Sequence, residues 1–368
     1  MLMRGNKGLW VVLAAACVAT LLAAVVVPVA PHVDDMRRLL SGARSLAEGK
    51  PPGDLLAAYP PSSAVQYVPL ALLPSGLTEV LLRVASAAIL VWVVVTFGRD
   101  DSGRLHPWSL VMLISPPAIE LVRIDQFNTA LALLTLVVAY RLIHSEKRFL
   151  AGLVAGVSMS RPLGAVPVIA GLFRGEGRRH ALGFGLGVLI FVGMTLGVAF
   201  VWDHNLVHDI LVAGVRRPLV GLVGVMRFEF GLVGVLVLLT MVGVLCNMIA
   251  AARRDRPRDA FVVILAISCI GVHFGGPYVA VFALPGLARL TAVASPWWAV
   301  GTTFVYAALL DLASLTTEFG SGQGVRLAVV FAPLMVAVLP LWLLYRPLGA
   351  TERTLTPELT LPAAAEAA

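Results

Sequence analysis

Apolar runs close to the length of a membrane crossing recur from one end of this chain to the other, separated by short loops that hold most of its charge. About 20 apolar residues span the hydrocarbon of a bilayer as one helix, which closes its backbone hydrogen bonds within itself. The runs cover residues 9–30, 77–97, 108–122, 129–143, 149–173, 181–201, 231–251, 261–272, 279–290, 297–315 and 325–345. Of the 368 residues 59% are hydrophobic and 13% charged, and the mean hydropathy is +0.90. A soluble domain is about 45–50% apolar and about 25% charged. A membrane β-barrel would show short alternating segments. The expected fold class is therefore an all-α polytopic membrane protein of about ten or eleven transmembrane helices. Residues 1–345 form one transmembrane domain. Residues 346–368, rich in Pro, Thr and Ala, form a disordered tail on the cytoplasmic side.

The net charge of +7 does not point to nucleic acid here, because the Lys and Arg residues sit in the short loops that orient membrane spans. Arg4 and Lys7 place the N-terminus on the cytoplasmic side, and the first run is too long for a signal-peptide core. Residues 32–63 then form an extracytoplasmic first loop. Within it, residues 36–48 have the period of an amphipathic helix lying in the membrane interface, with Arg37, Arg38 and Arg44 opposite its apolar stripe and attracted to lipid phosphates. Cys17, Cys246 and Cys269 all fall inside apolar runs and read as small buried residues.

Residues 149–173 break the pattern. Basic residues flank them on both sides: Arg141, Lys147 and Arg148 before, Arg174, Arg178 and Arg179 after. A single crossing would carry one cluster outside. A re-entrant or broken helix keeps both inside, with the break at Ser158-Met159-Ser160-Arg161-Pro162, where proline stops the helix.

With that topology, polar residues inside or beside the spans collect on the outer face: Asp34, Asp35, Tyr59, Arg123, Asp125, Gln126, Asn128, Arg161, His273 and Tyr278. Ionisable groups at membrane depth are costly and mark functional positions. Each also has a plainer reading. Asp34 or Asp35 caps the following helix; Arg123 pairs with Asp125; Gln126 and Asn128 satisfy a tight turn; Arg161 forms a salt bridge to Asp125; His273 is an interfacial polar residue. His204, His208 and Asp209 look like metal ligands on paper but have no fourth partner, so no metal and no other cofactor is expected.

Four pieces, in order, carry a resemblance. The acidic pair Asp34-Asp35 leads through an Ala/Leu-rich helix to Gly49-Lys50-Pro51. Then come Tyr59-Pro60-Pro61, the turn Asp125-Gln126-Phe127-Asn128 and the break Ser160-Arg161-Pro162, with the His273 to Tyr278 turn beyond. Together they resemble the GT-C superfamily of membrane glycosyltransferases, and within it the polyprenol-phosphate-mannose-dependent, mannosyltransferase-like proteins of glycosyltransferase family 87. Asp125 stands where that family usually has glycine, and Arg161 where it usually has lysine.

The resemblance implies a GT-C-like bundle with an extracytoplasmic active site in a bacterial plasma membrane. The donor would be a hexose, mannose first, on a polyprenyl phosphate, and the acceptor a lipid-linked or cell-envelope glycan. A carboxylate, Asp35 or Asp34, takes the acceptor's proton. Arg161, Arg123 and His273 hold the donor phosphate. Tyr59, Asp125, Gln126, Asn128 and Tyr278 orient sugar or acceptor, and transfer inverts the anomeric carbon. Two other classes remain open at this point: a secondary transporter with a midplane Arg161/Asp125 site, and a lipid-binding protein that keeps the fold without the chemistry.

Overall fold

The computed structural model describes residues 7–26, 35–50, 61–123, 126–173, 178–202, 222–271, 277–295, 297, 301 and 338–346. Among them the chain is helical throughout, apart from an isolated bridge between Arg99 and Leu105. The helices are α1 (Lys7–Val26), α2 (Asp35–Ala47), α3 (Pro61–Ala71), α4 (Ser75–Phe97), α5 (Pro116–Arg123), α6 (Phe127–His144), α7 (Arg148–Val157), α8 (Pro162–Leu172), α9 (Arg178–Trp202), α10 (Leu222–Ala252), α11 (Pro257–Gly271) and α12 (Leu284–Val293). Short 3-10 turns cover Pro107–Ile114, Ser158–Ser160, Pro277–Ala283 and Leu339–Leu344.

Among the described residues four helical segments are long and apolar enough to cross a membrane: Ser75–Phe97, Phe127–His144, Arg179–Val201 and Glu229–Ala252. Three of them carry exposed apolar side chains, including Leu81 and Val84 on α4, Leu186, Leu189 and Met194 on α9, and Leu236 and Met241 on α10. Such continuous apolar surface is stable against lipid and not against water. The expected crossing at 108–122 is split, because Ser115-Pro116-Pro117 stops one helical segment and starts the next. Gly231, at φ 61°, likewise divides α10. The expected spans 297–315 and 325–345 lie almost wholly outside the described residues.

The amphipathic helix read at 36–48 is α2, and its apolar face meets protein. Met36, Leu39, Leu40, Ala43 and Leu46 are buried against Ala64, Tyr67 and Ala71 of α3 and Leu82 of α4. Two of its arginines hold protein as well. Arg37 forms a two-pronged ion pair with Glu79, at 2.8 and 3.1 Å. Arg44 donates to the carbonyls of Ala71 and Leu73 at the C-terminal end of α3. Pairing α2 with α3 satisfies locally what a lone interfacial helix would take from lipid.

Residues 149–173 form two helices, α7 and α8, separated by a break at Ser158–Arg161. α7 rises beside α9, with Gly152 and Gly187 so close that a Cβ on either would strike the other helix's backbone. α8 follows the break at Ser158–Ser160 and Arg161, and Phe173, just past its C-terminal end, lies edge-on to Phe184 at 5.8 Å. Phe184 is also the residue whose backbone abuts Gly152 near the start of α7.

At one end of the bundle lies a closed charge network. Arg289 donates to Asp259 (2.8 Å) and Asp101 (2.5 Å), and Arg346 donates to Asp101 (2.7 Å) and Asp259 (3.0 Å). Arg289, Asp259 and Arg346 are buried, while the Asp101 side chain is 25% exposed. Arg346, read from the sequence as the first residue of the tail, is thus part of the bundle. Arg258 donates to the Thr96 carbonyl, and Arg141 to the Thr96 hydroxyl. The C-terminal ends of α4 and α6 therefore meet the α10–α11 connection and the end of α12 at one face.

Candidate active site

The opposite end of α6 is polar and buried. α6 is 18 residues long, so its two ends are about 27 Å apart. Its N-terminal end begins at Gln126, which is 2% exposed, followed by Phe127 and Asn128, the latter 1% exposed. The break between α7 and α8 is placed here, because the Asn128 side-chain amide donates to the Ser160 carbonyl at 3.5 Å. Arg161 is the N-cap residue of α8 (φ −124°, ψ 67°) and Pro162 its first helical residue. That is where proline fits best, since its missing N–H would have no partner in the helix.

Arg161 donates from Nη2 to the Gln126 side-chain carbonyl. The guanidinium thus sits where two helices begin, α6 at Phe127 and α8 at Pro162. Helix N-termini carry partial positive charge and unpaired N–H groups, so two of them beside an arginine favour an anion. Arginine also offers a planar fork that suits two phosphate oxygens at once.

α3 closes the site from the first loop. The Tyr67 hydroxyl donates to Asn128 Oδ1 at 3.1 Å, and its ring stands edge-on to Phe127 at 6.2 Å. One turn earlier, the Ser63 hydroxyl donates to the Ser160 carbonyl at 3.5 Å. The Asn128 amide therefore bridges α3 and the break, using its carbonyl for one and its nitrogen for the other.

Three of the residues expected from the sequence, Gln126, Asn128 and Arg161, are brought together. Arg123, half exposed, pairs with Glu120 at 2.9 Å, one turn back on α5. Asp34, Tyr59, Asp125 and His273 lie outside the described residues. Asp35 opens α2 and Tyr278 lies in the turn Pro277–Ala283, but their side chains are likewise outside what is described. His204, His208 and Asp209 also fall outside, and no group of metal-binding side chains occurs among the described residues.

Sequence reasoning missed Ser63, Tyr67 and Arg83. Ser63 and Tyr67, four residues apart after Tyr59-Pro60-Pro61, share a helical stripe, which was a readable signal. Arg83 is buried within α4 and donates to the Val25 carbonyl at the end of α1 at 3.3 Å. Its place in an apolar run was signal enough, and it serves as a C-terminal cap.

Comparison with known proteins gives one family. A model described as Glycosyltransferase family 87 matches residues 57–274, more than half of the chain, and that stretch contains α3, α6 and the α7–α8 break. No curated protein and no solved structure matches.

Proposed function

Because the chain belongs to glycosyltransferase family 87, we propose that this membrane glycosyltransferase moves a hexose, mannose first, from a polyprenyl-phosphate donor to a lipid-linked or cell-envelope glycan. The reaction takes place on the extracytoplasmic side of a bacterial plasma membrane, with the N-terminus cytoplasmic. The observation that carries the reading is Arg161 set at the starts of α6 and α8 and held there by Gln126. A site of that charge fits the phosphate through which such a donor is attached to its lipid.

The chemistry follows from that assignment. The acceptor hydroxyl oxygen attacks the anomeric carbon from the face opposite the phosphate. The bond from that carbon to the phosphate oxygen breaks, and its electron pair leaves on the phosphate, so the centre inverts. Arg161 and the two helix N-termini balance the charge that develops there. Asp35 or Asp34 takes the hydroxyl proton. Arg123 and His273 stand by the phosphate, while Tyr59, Asp125, Gln126, Asn128 and Tyr278 orient sugar and acceptor. The α7–α8 segment is re-entrant in this reading, entering and leaving at the cytoplasmic face within a bundle of about ten or eleven helices.

A broken helix whose N-terminus meets an anion is also a device of secondary transporters. Family membership and the position of the polar cluster at one end of α6 favour the transferase. The test is transfer of radiolabelled mannose from polyprenyl-phosphate mannose to a lipid-linked acceptor, by purified protein in proteoliposomes. Activity is expected in the wild type and its loss in Arg161→Gln. Undiminished transfer by the Asp34→Asn, Asp35→Asn double variant would remove the base assignment.

A further inference from the structure

Polar atoms buried without a partner are rare in a well-packed protein and are usually completed by something bound. Three of them lie on the elements that meet at the break. Ser160 Oγ, Thr129 Oγ1 and Gln66 Oε1 are buried and have no hydrogen-bond partner among the described residues. Ser160 is 1% exposed and Thr129 2%. Ser160 is part of the knot already described, and Thr129 and Gln66 stand next to its members in the chain. Ser160 accepts at its carbonyl from Ser63 and Asn128. Thr129 follows Asn128, on the first turn of α6. Gln66 lies on α3 three residues after Ser63 and one before Tyr67, and both of those residues bond into the knot. The neighbouring side chains Ser63, Tyr67 and Asn128 each bond protein.

We propose that Gln66, Thr129 and Ser160 form a sugar-hydroxyl subsite next to Arg161, which reads the configuration of the transferred hexose. The chemistry selects that ligand class. The Gln66 carbonyl needs a donor, which a phosphate ester anion does not supply, while the Ser160 and Thr129 hydroxyls both donate and accept. Alcohol groups answer all three, and a hydrocarbon answers none. The position also fits, because Ser160 precedes Arg161 in the chain and Thr129 lies three residues after Gln126, the residue that Arg161 bonds. This subsite rests on the transferase reading, and it gives the selecting role to residues other than Asn128, whose amide is occupied.

The test compares polyprenyl-phosphate mannose with polyprenyl-phosphate glucose on the same lipid chain, in proteoliposomes of wild type, Thr129→Val, Ser160→Ala and Thr129→Ser. Affinity for sugar-free polyprenyl phosphate is measured alongside. The wild type should prefer one epimer. Thr129→Val and Ser160→Ala should each lower kcat/KM for it by about 10–100-fold, the scale of a lost hydrogen bond to a substrate hydroxyl, and shrink the preference with it. Thr129→Ser, which keeps the hydroxyl, should keep the preference, and sugar-free lipid should bind all variants alike. Equal losses with both epimers, or weakened binding of the sugar-free lipid, would mean a structural role and overturn the subsite alone. A wild type that transfers neither sugar would remove the transferase reading, and the subsite with it.

Discussion

Removing the Asp259 carboxylate should be among the most damaging single changes in this protein, although it lies about 27 Å, the length of α6, from the candidate active site. Asp259 is 2% exposed. One of its oxygens accepts from Arg289 Nε at 2.8 Å, the other from Arg346 Nε and Nη2 at 3.2 and 3.0 Å. With Asp101 it balances two arginines by two aspartates. Asp259→Asn keeps the volume, loses the charge and leaves one of two buried guanidinium groups uncompensated. Breaking a buried pair in this way costs about 3–5 kcal/mol, or roughly two to three and a half orders of magnitude in the folding equilibrium. Unfolding by SDS in mixed micelles would measure it. The double variant Asp259→Leu, Arg289→Met leaves Arg346 balanced by Asp101 and should recover much of the loss. The reasoning fails if Asp259→Asn costs under about 1 kcal/mol, as an exposed pair would, or if the double variant is as unstable as the single losses added together.

Other outcomes follow from the same geometry. Asp101 is partly buried, which alone would raise its pKa, but its bonds to Arg346 and Arg289 outweigh that and hold it below the usual carboxylate range. Its contribution to stability is therefore present above about pH 3.9, the unfolded value, and is lost as pH falls through the lower folded value. Stability curves of wild type and Asp101→Asn should differ at neutral pH and converge in acid. Arg161→Gln should lower kcat for transfer by about 10²–10³-fold, the scale of removing one charge-stabilising group. Arg161→Lys should keep part of the rate but lose the two-pronged contact, which kinetics on the two variants would separate. Gly152→Ala places a Cβ against the Phe184 carbonyl and should cost about 1–3 kcal/mol by forcing α7 from α9, read in the same SDS titration.

What the sequence made legible was set by one-dimensional signals. Spans 77–97 and 129–143 match α4 and α6 to within two residues, because hydrocarbon thickness fixes their length and the flanking charges their ends. The break at Ser160-Arg161-Pro162 was legible for the same reason, proline being a local rule. The stripe on α2 was readable too, but not its partner, since a helical period says which face is buried and not against what. The charge network was missed altogether. Asp101, Asp259, Arg289 and Arg346 are separated by up to 245 residues, and each alone looks like ordinary loop charge. Only the assumption that all four lie on one membrane face would have suggested pairing. The Arg123–Glu120 pair was not read from the sequence either, although one helical turn of α5 separates the two.

The two ends of α6 differ in a way that says where a ligand belongs. At the Arg289 end, all four carboxylate oxygens of Asp101 and Asp259 accept from arginine, and the charges cancel. A phosphate arriving there would compete with carboxylates that already fill the guanidinium forks, and buried pairs of this geometry release their partners only at high cost. At the Gln126 end the arginine meets a neutral amide, two helices present their N-termini, and hydroxyls of Ser160 and Thr129 stay unfilled. In the proposed reading a phosphate meets an arginine and two helix N-termini there, and a sugar meets the Ser160 and Thr129 hydroxyls. The Arg289 end is therefore the lock that holds α4, α11, α12 and the chain at Arg346 together, which leaves the Gln126 end for the phosphate-linked sugar of the proposed reaction.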